Sequence, residues 1–264
     1  MIILIICIII ICIIYIVLYF NTYDYNTICM AEPEVFIYDS KIEGPSICII
    51  GATHGNEPSG YVAIKHLMDL YNNKTYTLKK GKLYLIPVVN YCGLKLNIRN
   101  GSNMSLWDWD NWLQSNHNDI NRNYIENTSN PINKKVLEYA TKSDFVLDFH
   151  EGWGYHNNSN SIGSTITPSN DESMKIAQKM MTNINNIITD DTKKFAIRTN
   201  DIELLKDNNY IINTEIKGTL SDYIKNTNYI LIEITGQSNI ISMDLRLEQA
   251  MVFIDTLLDN YEII

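Results

Sequence analysis

Arginine is nearly absent: it occurs four times in 264 residues, as Arg99, Arg122, Arg198 and Arg246. No stretch carries a block of basic side chains, and the formal net charge is −9. A nucleic-acid binder draws its affinity from clustered Lys and Arg facing phosphates, so that class is excluded. The five cysteines, at positions 7, 12, 29, 48 and 92, form no CxxC pair and no even set. Their spacing therefore argues against a disulfide scaffold and against a thiolate zinc finger. Isoleucine and asparagine together exceed a quarter of the chain, a skew that an AT-rich coding sequence produces without selection on structure. At this asparagine frequency, the Asn-x-Ser/Thr sequons at Asn73, Asn100, Asn103, Asn127 and Asn157 carry no information about glycosylation.

The longest apolar run is MIILIICIIIICIIYIVLYF, residues 1–20, without one charged side chain. About 20 apolar residues at 1.5 Å rise span the roughly 30 Å hydrocarbon core of a bilayer. A cleaved signal would have a basic start, a shorter apolar stretch and a small-x-small site, and none precedes Ala31. The expectation is one uncleaved transmembrane helix over 1–20, followed by a polar stalk over 21–33. The first Lys or Arg is Lys41, so flanking charge gives little orientation. With Asp24, Glu32 and Glu34 following the span, the remainder is expected on the extracellular or luminal side.

Residues 34–264 alternate between short apolar runs and amphipathic stretches. SICIIG (46–51), KLYLIPVV (82–89), DFVLDF (144–149) and YILIEI (229–234) have the length of buried strands. Apolar residues at three- and four-residue spacing mark helices over 59–71, 133–142, 171–188 and 243–261. Continuous rather than alternating apolar strands separated by helices mean an α/β fold, a sheet covered by helices on both faces. No repeat or linker divides 34–264, so one domain is expected.

In such sheets, ligands gather at the carboxyl ends of the strands. There the first run leads into Ala52-Thr53-His54-Gly55-Asn56-Glu57, and the third ends in His150-Glu151-Gly152. Catalytic zinc takes three N or O ligands with one position left open, and His₂Glu is an established set. His54 and Glu57, three apart on a tight loop, can face one ion, with His150 supplying the third ligand. Glu233, inside YILIEIT, adds a carboxylate in apolar surroundings. Glu151 is a rival base, but adjacent strand residues point to opposite faces. Asp148 shares a face with His150, either as its hydrogen-bond partner or as a structural residue.

His54-Gly55-Asn56-Glu57, Asp119-Ile120-Asn121-Arg122, Leu147-Asp148-Phe149-His150 and Ile232-Glu233 follow in that order. This series resembles the zinc carboxypeptidase superfamily, and GATHGNEPSG is most similar to its succinylglutamate desuccinylase and aspartoacylase group. The resemblance implies a single mixed-sheet domain and one Zn²⁺ per chain, held by His54, Glu57 and His150. It implies Glu233 as the general base, Asn121 and Arg122 as the grip on a substrate carboxylate, and Arg99 as the cation that steadies the developing oxyanion. The implied substrate is a small N-acyl amino acid, cleaved at an amide next to a free carboxylate. The group's additional β domain after the catalytic Glu is replaced here by about 30 residues with one helical segment. That makes a carboxypeptidase for peptides or peptidoglycan stems the alternative, and an inactive carboxylate-binding module the second. Three tryptophans in the insertion 105–112 are expected to form a packed loop or a lid.

Overall fold

The four apolar runs form adjacent strands at the centre of one sheet. The computed structural model describes residues 8–16, 29, 31–100, 119–125, 128–158, 161–214, 216–224 and 227–264. Its strands are β1 (Phe36–Asp39), β2 (Ser46–Ile50), β3 (Lys82–Ile86), β4 (Phe145–Gly152), β5 (Thr165–Pro168), β6 (Ala196–Thr199), β7 (Tyr210–Ile212) and β8 (Asn228–Thr235). They make an eight-stranded sheet in the order β1-β3-β2-β4-β8-β5-β6-β7. The block β3-β2-β4-β8 is parallel, whereas β1 and β5 run antiparallel to β3 and β8, so the sheet is mixed. All eight residues of β4 are buried, as a strand covered on both faces requires.

One face packs against the helices Ser59–Asn72, Asp171–Ile187 and Met243–Asn260 in a core of Ile, Leu, Phe and Met. The other face is covered more sparsely. The helices Pro131–Ala140 and Leu220–Tyr223 bury Cys48, Ile50, Val146 and Tyr229. Toward the carboxyl ends of β4 and β8 this second face is open and becomes a cleft. The helix ends match the sequence patterns to within two residues, with Asn130, Asn170 and Ser242 accepting from first-turn amides.

The cysteine spacing argues against a disulfide scaffold, and among the described residues one disulfide forms, Cys29–Cys92, with both cysteines nearly inaccessible to solvent. Of the anchor, residues 8–16 are described and are helical. Among the described residues, no helix is long and apolar enough to cross a membrane. The rest of the 1–20 anchor, most of the stalk and the insertion 105–112 lie outside the described residues.

Candidate metal centre and active site

The chain leaves β2 through Gly51 and turns at Ala52, whose φ is 48°. The turn brings His54 and Glu57 back over the strand ends. The loop is held against the Tyr91–Leu96 helix so closely that a Cβ on Gly55 would lie 1.8 Å from the Gly93 carbonyl carbon. Gly55 also donates its N–H to the Arg99 carbonyl at 3.1 Å, and the same oxygen accepts from the Asn90 side chain. Backbone packing, rather than side-chain flexibility, thus fixes the histidine and the glutamate.

Three donor atoms converge here. His54 Nδ1 and His150 Nδ1 lie 3.0 and 2.9 Å from Glu57 Oε2, and 3.1 Å from each other. Tetrahedral zinc with ligands at about 2.1 Å spaces them about 3.4 Å apart, so a small widening admits the ion. His54 Nε2 lies 2.9 Å from Asp119 Oδ1, and His150 Nε2 lies 3.4 Å from Asp148 Oδ2. With Nδ1 as the ligand nitrogen, each ring donates Nε2–H to a buried carboxylate, which fixes its orientation and raises its basicity. Asp148 is held in turn by the Tyr229 hydroxyl at 2.9 Å. The donor set and its support fit a divalent cation.

Sheet register places Glu233 beside the cluster. His150 and Glu233 are direct partners across β4 and β8, so both side chains leave the same face. Burial pushes the Glu233 carboxyl up to about 8, with His150 drawing it down and Glu57 pushing it up. A carboxyl raised in this way is protonated, and useless as a base, below its own pKa. Turnover is therefore expected to climb with pH along an acidic limb whose midpoint lies above the ordinary carboxylate value, and below 8 once a cation is bound. A pH–rate profile already flat above about pH 5 would show that Glu233 is not the desolvated base.

Arg99 enters the cleft as a partner of acids. It donates to Glu57 Oε1 at 2.8 Å and to Asp119 Oδ2 at 3.1 and 3.3 Å. Asn121 is buried, with its Oδ1 accepting from the Leu220 N–H at 3.1 Å and its Nδ2 3.5 Å from His150 Nε2. Its bonds brace the floor of the site. Arg122 lines the cleft and spends one donor on the Asn121 carbonyl at 2.7 Å. Glu151 points to the opposite face, as strand alternation requires, and accepts from the Ser59 N–H at 2.7 Å. His156 is not among the residues lining the cleft.

Three contributors went unassigned in the sequence. Asp119 opens the Asp-Ile-Asn-Arg stretch, and there it holds His54 Nε2 and Arg99. Gln237 donates to Glu57 Oε1 at 3.0 Å. Arg198 lines the cleft from β6, only 7% exposed. The first could have been suspected from its place in the motif, whereas the other two carry no local signal.

The sequence profile of the succinylglutamate desuccinylase/aspartoacylase catalytic domain matches residues 43–188, over half of the chain. The chain belongs to this family. Among curated protein sequences none matches significantly. A variant of the cell shape determinant protein Csd4 from Helicobacter pylori superposes with a TM-score of 0.66 at 18% identity, covering 88% of this chain and 55% of that one. An aspartoacylase family protein from Mesorhizobium loti gives 0.55 at 17% identity, covering 88% and 62%. A succinylglutamate desuccinylase from a Silicibacter species gives 0.55 at 15% identity, covering 88% and 61%. At such identities the likeness is one of fold, and the chain spans under two thirds of each of these structures. Glu233 and Arg198 both lie beyond the residues that the family profile matches.

Proposed function

We propose that this protein is a zinc-dependent hydrolase that cleaves an amide bond next to a free carboxylate. The observation that carries this reading is the convergence of His54, Glu57 and His150 on one point, with Glu233 emerging beside them from β8. Bound by these three residues, Zn²⁺ would supply a Lewis acid that polarises the scissile carbonyl and acidifies the attacking water. Glu233 takes the proton of that water and returns it to the leaving amine. Arg122 offers its guanidinium fork to the substrate carboxylate, aligning the amide with the base. Arg99, half engaged by Glu57 and Asp119, holds positive charge at the rim where the oxyanion develops.

The first substrate class is the N-acyl amino acid, in keeping with the family. A peptide substrate is the second, favoured by the breadth of the cleft, about 1240 Å³. Csd4, whose fold this chain shares, is described as a D,L-carboxypeptidase and has been crystallised with a tripeptide bound. The protein purified with zinc is expected to hold about one ion per chain, and to hydrolyse N-acyl amino acids or short peptides. Hydrolysis should stop on chelation and return with Zn²⁺. A fully active chelated protein would end the metal reading, and cleavage of peptides alone would move the assignment to a carboxypeptidase.

The membrane anchor over residues 1–20 and an extracellular or luminal placement of the domain belong to the same proposal. In support, residues 8–16 are helical and their isoleucines are exposed. The Cys29–Cys92 disulfide also suits an oxidising compartment. The chain is expected to stay with membranes through alkaline extraction, and two of its cysteines should resist alkylation until reduced. Release by alkali would remove the anchor.

A further inference from the structure

The Glu57 carboxylate offers about four lone-pair positions, shared equally by its oxygens. Three of them are spent on N–H donors of the chain itself. Oε1 accepts from Arg99 Nη1 at 2.8 Å and from Gln237 Nε2 at 3.0 Å. Oε2 accepts from the Glu151 backbone N–H at 3.1 Å. The position left over is on Oε2, the oxygen that lies 3.0 and 2.9 Å from His54 Nδ1 and His150 Nδ1. Each oxygen thus has its own assignment: Oε1 to the surrounding protein, Oε2 to the point where the histidines converge.

Gln237 is brought to Glu57 at a cost to the backbone. A glutamine amide carries two N–H bonds, and Gln237 uses both, one on Glu57 Oε1 and one on the Glu151 carbonyl. Glu57, Gln237 and the Glu151 backbone therefore close a ring of hydrogen bonds joining the loop after β2, the end of β4 and the turn after β8. That turn, Gln237–Asn239, follows Gly236, where a Cβ would lie 2.2 Å from Glu151 Oε2. Ser238 and Asn239 then adopt left-handed backbone in succession, with φ of 61° and 57°. Non-glycine residues hold such conformations where their surroundings impose them, and Arg246 contributes by donating to Asn239 Oδ1 at 2.9 Å. Strain of this kind collects where a side chain must be aimed, and the side chain aimed here is Gln237.

We propose that Gln237 is a positioning residue that, together with Arg99, confines Glu57 to a single ligand oxygen, Oε2. A carboxylate that gripped the ion through both oxygens would take up the position that the attacking water needs. With Oε1 withheld, His54, Glu57 and His150 contribute one atom each, and an open position is left beside Glu233. This deepens the hydrolase reading and rests on its divalent ion. Gln237 acts through Glu57, not on the substrate.

The test loads the full chain with Co²⁺ in place of Zn²⁺ and reads the visible spectrum, in which four-coordinate cobalt absorbs more intensely than cobalt of higher coordination. The native chain is expected to give the intense, four-coordinate bands. Gln237→Leu keeps much of the side-chain volume but none of the donors, so Oε1 regains a lone pair. Its bands should weaken toward those of higher coordination. Its Zn²⁺ affinity, read by competition with a chelator, should fall about tenfold or more. Weak bands from the native chain, or native bands from Gln237→Leu, overturn the proposal. So does a fall in affinity with unchanged bands, which would make Gln237 a support of the loop alone. Should Gln237→Leu fail to fold, Gln237→Asn, whose shorter side chain cannot span to Glu57 and Glu151 together, is read in the same way. A native chain that binds neither ion ends the hydrolase reading and this proposal with it. Bands that change as expected in a chain that hydrolyses nothing end the hydrolase reading alone.

Discussion

Glu233→Gln is expected to lower kcat by roughly 10²–10⁴-fold while leaving the fold and the zinc content unchanged. The substitution keeps the shape and burial of the side chain but removes the only form that accepts a proton. Glu233 touches none of the three ligand atoms through a hydrogen bond, so the ion should be retained. Substrate affinity should change little, because the proposed carboxylate grip lies at Arg122, a residue other than the one substituted. The checks are steady-state kinetics on one N-acyl amino acid and metal analysis of the same preparation. A variant with native kcat would refute the assignment of Glu233, and one that loses zinc would make Glu233 part of the metal's support.

Arg246→Met should produce the largest loss of stability, about 3–5 kcal/mol, because it strands a buried carboxylate. Arg246 and Glu151 are both buried and meet at 3.1 Å, and a Cβ on Gly236 would crowd Glu151 Oε2. Glu151 also receives the Ser59 N–H at the start of the Ser59–Asn72 helix. One ion pair thereby joins β4, that helix and the Met243–Asn260 helix. For a domain of this size the loss corresponds to a fall in Tm of roughly 10 °C. Adding Glu151→Gln should recover part of it, since the stranded charge is then gone. A melt of Arg246→Met within a degree or two of the native chain would mean that the pair contributes nothing net.

Much of this could be read from residue order alone, for a physical reason in each case. The central strands β2, β3, β4 and β8 are buried on both faces, and that demands unbroken apolar runs, which a sequence displays. The flanking β1, β5, β6 and β7 are three or four residues long. They form because a neighbouring strand offers its edge, so their own sequences, such as AIRT in β6, carry no distinguishing pattern. His54, Glu57 and His150 were legible because a site able to hold a cation limits both ligand type and position. Arg198 was not, since its place on the cleft wall follows from strand register, which a lone arginine does not display. Nor was the disulfide: it joins cysteines 63 positions apart, a proximity created by the fold.

That disulfide also alters the covalent map of the chain. Cys29 precedes the first strand, β1, while Cys92 lies on the helix that holds the His54–Glu57 loop. A protease that cuts the backbone anywhere between these two cysteines leaves the fragments linked. Shedding the domain from its N-terminal segment therefore takes two chemical events, hydrolysis and reduction, whereas a cut ahead of Cys29 takes only one.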